Sequence, residues 1–141
     1  MKVRTLATFT SDLPDDFIEK DGEVVQYGGK SVAEAIGEML RRLGCQVGPP
    51  EYAQEHGWHL YVDAQKRSVW CQVQDIGDEY VFDIRDKTWR LFGKNHPAYV
   101  EVLRRLGEEL ARDPRFHNVL WYTPADYEKD APGAALPVND G

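Results

Sequence analysis

Apolar and polar residues alternate most regularly between Gly57 and Asp86. One alternate set reads Trp58, Leu60, Val62, then Val69, Cys71, Val73, then Tyr80, Phe82, Ile84. The opposite set reads His59, Tyr61, Asp63, then Trp70, Gln72, Gln74, then Val81, Asp83, Arg85. Strand side chains change face with a period of two. The pattern therefore predicts an antiparallel meander over residues 57–64, 67–76 and 79–86, with the first set in a core and the second on an outer face. Gln65-Lys66 and Gly77-Asp78 are the tight joins.

The period changes on either side of the meander. Val32, Ile36, Met39, Leu40 and Leu43 fall on one helical stripe. Ser31-Val32-Ala33-Glu34 has the spacing of a capping box, Arg41 and Arg42 suit the last turn, and Gly44 suits the stop. These signals predict a helix over 31–43. Tyr99, Val102, Leu103, Leu106 and Leu110 make a second stripe, begun by His96-Pro97 and ended by Asp113-Pro114, which predicts a helix over 97–112.

Weaker patterns fill the rest. Residues 2–10 read as a first strand, 12–23 as an acidic loop, either solvated and pinned to the core by Phe17 and Ile18 or a recognition loop for a basic surface, and 23–27 as a short extended piece. Cys45-Gln46-Val47 reads as a short strand, and Trp89, Leu91 and Phe92 as a further short strand or an apolar turn. Residues 119–122 are a final strand or a packed extended segment. From Thr123 the Pro-, Ala- and Asp-rich composition predicts a flexible tail to residue 141. The expected fold is α+β in two layers: one antiparallel sheet, made of the meander and the N-terminal strand, with both helices on one face of a single domain over 1–122.

Charge narrows the function classes. Among 141 residues, 24 acids oppose 17 bases, a net charge of −7. That balance offers no sequence-independent attraction to phosphate, so nucleic acid and anionic lipid are not expected partners. The first residues lack an apolar leader core, and no apolar run reaches the ~20 residues that span a bilayer, so a cytoplasmic protein is expected. The two cysteines, Cys45 and Cys71, are too few for a disulfide framework and are expected to stay reduced.

Motifs for chemistry fail on inspection. Gly28-Gly29-Lys30-Ser31 lacks the first glycine of a phosphate loop, since Val24 stands there. His56 and His59, with Cys45, Cys71 or Glu55, show no paired zinc-ligand spacing, so no metal or other cofactor is expected. Cys71 belongs to the core set, where a thiol is inert, and no serine sits in a nucleophile elbow. No catalytic residue is assigned. What remains is the outer face, where Trp70 stands among His59, Tyr61, Asp63, Gln72, Gln74 and Asp83, a make-up suited to a protein contact. The alternative is that the N-terminal segment or the tail covers Trp70.

Asp15 and Asp16 in the acidic segment, Asp78 and Glu79 at the second join, and the Trp70 face carry a resemblance in character. Over residues 1–122 the chain resembles the small, acidic, tryptophan-containing immunity proteins that bind and inhibit a cognate bacterial toxin. The resemblance implies a protein toxin with a basic surface as partner and blockade as mechanism. It carries over no family site residue. Two other readings stay open: an enzyme or small-ligand binder using His59, Asp63 and Asp83, and a structural domain that buries the same face in a homodimer. The expected state is a monomer or a homodimer.

Overall fold

The structure is a computed structural model, described here for residues 1–88 and 93–139. Its elements in order are β1 (Lys2–Val3), β2 (Leu6–Ser11), β3 (Ile18–Lys20), β4 (Glu23–Gln26), α1 (Lys30–Arg42), β5 (Gln46–Val47), β6 (Glu51–Tyr52), a 3-10 turn (Gln54–His56), β7 (Trp58–Ala64), β8 (Arg67–Asp75), β9 (Tyr80–Asp86), α2 (Pro97–Arg112), β10 (Phe116–Tyr122), α3 (Pro124–Glu128) and β11 (Val138–Asn139). The expected strand or turn over Trp89, Leu91 and Phe92 lies outside the described residues.

The meander is the middle of the main sheet. The spatial order is β10-β2-β9-β8-β7-β5, with β6 also on β7, and every pairing is antiparallel. All nine residues of the expected core set are buried. The α1 stripe of Val32, Ile36, Met39 and Leu40 packs in the same core as Tyr99, Leu103, Leu106 and Leu110 of α2. Amphipathic helices with one apolar stripe each can bury it only against the apolar sheet face. The fold is therefore the expected α+β, two-layer arrangement.

Four local expectations change. First, residues 2–10 are not one strand. β1 leaves the sheet to pair with β11, and β2 runs between β9 and β10. Second, no capping box forms at α1. Its N-cap is Gly29, at φ 111°, and the cap acceptor comes from elsewhere in the chain: Ser31 N donates to Asp16 Oδ2 at 2.6 Å, and Ser31 Oγ to Asp16 Oδ1 at 3.1 Å.

Third, the acidic loop is a β3–β4 hairpin. Asp21 (φ 52°) and Gly22 (φ 80°) form its two-residue turn, both left-handed as a type I′ turn requires. Phe17 and Ile18 do not pin it to the core, because both are exposed. Leu13 packs there instead.

Fourth, the chain beyond 122 is packed rather than loose. Thr123 caps α3, Trp121 and Ala134 exchange both backbone hydrogen bonds, and Val138 pairs with Val3 and is buried. A Cβ on Gly107 of α2 would strike the ring of Pro137, so this glycine lets the C-terminal strap lie against the helix.

Candidate functional site

The helix-free face of β7, β8 and β9 carries its side chains in two rows fixed by register. His59 faces Gln72, which faces Asp83. Tyr61 faces Trp70, which faces Arg85. Side chains directly opposite on antiparallel strands interact, so the rows form one continuous surface.

Aromatic rings hold its centre. The His59 ring meets Trp70 edge-on with centroids 5.0 Å apart, and Tyr61 edge-on at 6.5 Å. His59 Nε2 lies 3.0 Å from Gln72 Oε1, so the tautomer protonated on Nε2 donates to that carbonyl oxygen. Lys87 Nζ stands 5.3 Å from the Trp70 ring, a cation–π distance. Tyr61 is 51 % exposed, and Trp70 and His59 are half-buried and packed on one another. The strap does not cover them: its pairings go to β10, β1 and α2. Beside Tyr61 and Asp63 opens a depression of about 480 Å³, lined also by Val47, Gly48 and Val62.

The remaining expected residues divide. Asp63 is exposed at the β7–β8 turn, where it accepts from Lys66 N at 2.9 Å. Gln74 Nε2 donates to Glu55 O, which ties it to the 3-10 turn. Asp83 is buried and engaged by Arg85, whose Nε lies 3.1 and 3.0 Å from the two carboxylate oxygens. That bond, set against burial, holds the Arg85 guanidinium above its ordinary value. The hydrogen bonds of His59, Asp63 and Asp83 thus go to three different partners, and the structure does not join them as an acid–base group.

Asp15, Asp78 and Glu79 lie at the opposite end of the sheet, by the β8–β9 turn, and Asp16 adjoins Asp15. Asp16 serves the α1 cap. Asp15, Asp78 and Glu79 line a cavity of about 260 Å³ with Thr10, Ser11 and Tyr80. Burial, reinforced by Asp75, Asp15 and Asp16, pushes the Tyr80 hydroxyl up to about 12. Partial burial, with Asp78 beside it, raises Glu79 above the usual carboxylate range.

Cys45 and Cys71 are both buried free thiols, raised chiefly by that burial, which suits inert packing. Among the described residues no group of three His, Cys, Asp or Glu side chains is arranged to hold a metal. No helix among them is long and apolar enough to cross a membrane.

Sequence reasoning overlooked two contributors. Lys87 follows the meander and gives no signal until the register brings it over Trp70. The β3–β4 hairpin was signalled by Asp21-Gly22 between Ile18 and Val24. Comparison with known families, with characterised proteins and with solved structures finds no match for this chain.

Proposed function

We propose that this chain is a binding protein that neutralises a cognate bacterial toxin by occluding the toxin's working surface, with the helix-free face of β7 and β8 as its contact. The observation that supports this reading most is the row of Tyr61, Trp70 and His59, edge-packed on one another and left uncovered by helices and strap. Tryptophan and tyrosine in such a setting offer large, rigid area at a small entropic cost, the usual make-up of energetic anchors. The overall charge of −7 favours a basic partner, whose encounter it speeds. On this reading the protein acts in the cytoplasm, where a producing cell meets its own toxin.

The test is protection. Each toxin domain encoded beside the gene is expressed in bacteria with and without this chain, and growth is followed. Wild-type protein is expected to restore growth. The Trp70→Ala variant, folded by circular dichroism, is expected to bind roughly 30-fold more weakly, the loss of an anchor worth about 2 kcal/mol, and to protect poorly. No protection by the wild type sinks the proposal. Protection that Trp70→Ala and Tyr61→Ala leave intact removes the sheet face from it.

A further inference from the structure

We infer that the β3–β4 hairpin is a second contact element, a finger that enters a cleft of the same protein partner, one that offers apolar walls together with lysine and arginine. This rests on the binding function proposed above and adds where the acidic charge is used.

The hairpin stands apart from the fold. Its two strands form a sheet of their own, and residues 17–25 are exposed without interruption. Four of those residues are apolar: Phe17 is 44 % exposed, Ile18 43 %, Val24 39 % and Val25 53 %. Ile76, on the adjoining β8–β9 turn, is 45 % exposed. Several apolar side chains left in water on one element of a folded domain mark a contact site. Each strand also has an outer edge that pairs with no other described strand, leaving backbone groups open to a partner.

The finger is held ready rather than left to flex. An isolated two-stranded ribbon is marginal in water. This one is clamped at its base: Gln26 Nε2 donates to Asp16 O at 2.7 Å, Gly29 N to Asp15 O at 2.9 Å, and the Asp16 carboxylate caps α1. Gly28 passes so close to the Asp15 carbonyl and the Asp75 carboxylate that a Cβ there would strike both. Anchoring of this kind reduces the ordering cost of binding.

Charge selects the occupant. Glu19, Asp21 and Glu23 form an acidic rim toward the turn against one base, Lys20, and Asp78 and Glu79 line a cavity with Asp15 near the hairpin's base. Phosphate backbones and anionic lipid are repelled by such a rim. A second copy of the chain would set the same carboxylates against each other across a two-fold axis. A cationic protein cleft with apolar walls satisfies both the apolar shank and the acidic rim. A ribbon exposed on both faces fits a concavity better than a flat surface.

The experiment is site-specific photocrosslinking in the native cells, using the full chain with a photoreactive phenylalanine analogue at Phe17, at Val25 or at Tyr61. Any crosslinked protein is identified by mass spectrometry, purified and titrated against this chain. The expected result is adducts from all three positions with one protein, the contacts at Phe17 and Val25 mapping to a lysine- and arginine-rich peptide. Affinity should fall at least about tenfold in Glu19→Lys/Glu23→Lys and in Phe17→Ala/Val25→Ala, and fall with added salt. These side chains are exposed, so an unchanged melting temperature shows that the fold survives. Adducts from Tyr61 alone, an acidic contact peptide, crosslinks to a second copy, or affinity unmoved by both variants overturns the finger while leaving the sheet-face reading to its own test. No adduct from any position overturns both.

Discussion

Replacing Asp16 by alanine removes the acceptor that begins α1 from outside the helix. Ser31 N loses its 2.6 Å bond, one of the orphan amides of a helix start, and Ser31 Oγ loses its partner. Deleting a capping carboxylate or hydroxyl costs about 1 kcal/mol. Asp16 also sits at φ 64°, where alanine adds about 1 kcal/mol because its Cβ crowds the following carbonyl while aspartate and asparagine tolerate that region. The expected loss is about 2 kcal/mol, or roughly 6 °C in melting temperature for a chain of this size. Asn keeps one oxygen and the backbone preference, so Asp16→Asn should lose about half as much. Thermal and urea unfolding measure all three proteins. Glu34→Ala should cost under about 0.5 kcal/mol, since no capping box forms. If Glu34→Ala costs as much as Asp16→Ala, or Asp16→Ala is neutral, the cap has been misassigned.

Other perturbations test the rest of the fold. Gly107→Ala places a methyl against the Pro137 ring, so limited proteolysis should cut the strap between α3 and β11 sooner than in wild type, with about 1–2 kcal/mol lost. Gln65 (φ 52°) and Lys66 (φ 68°) hold the β7–β8 turn left-handed without a glycine, so Gln65→Asn/Lys66→Gly should raise stability by about 1 kcal/mol in urea unfolding. Tyr80 is raised to about 12 in the fold, above its ordinary 10.0. Its contribution is fully present below pH 10 and is lost as pH rises toward 12, a loss that Tyr80→Phe should blunt in unfolding midpoints taken across that window.

Much of this architecture was legible because its signals are local and periodic. The alternation over Trp58–Ala64 and its neighbours assigned each core residue of the meander, since a slip of one position would turn every side chain to the wrong face. The parts that were not legible depend on residues distant in sequence. Asp16 caps a helix fifteen positions on, in competition with a serine and glutamate that fit the local motif. β10 breaks its alternation at Asn118, whose φ of 55° accompanies a shift of register between His117 and Leu120, so only its last residues looked like a strand. The apolar residues of the strap are mostly alanine and proline with no period, and its order comes from Ala134 on Trp121 and Pro137 on Gly107. On the outer face, alternation placed His59, Tyr61 and Trp70 together. It could not show that Arg85 already engages Asp83, or that Lys87 lies over the indole.

The most direct test of a protein-binding role for the sheet face is a titration against whichever purified toxin domain the growth test shows to be neutralised. Wild type should be compared with the Tyr61→Ala/Trp70→Ala double variant under one salt condition. Loss of two aromatic anchors should weaken binding at least about 100-fold while circular dichroism stays unchanged. Equal affinity of the two proteins would contradict the assignment.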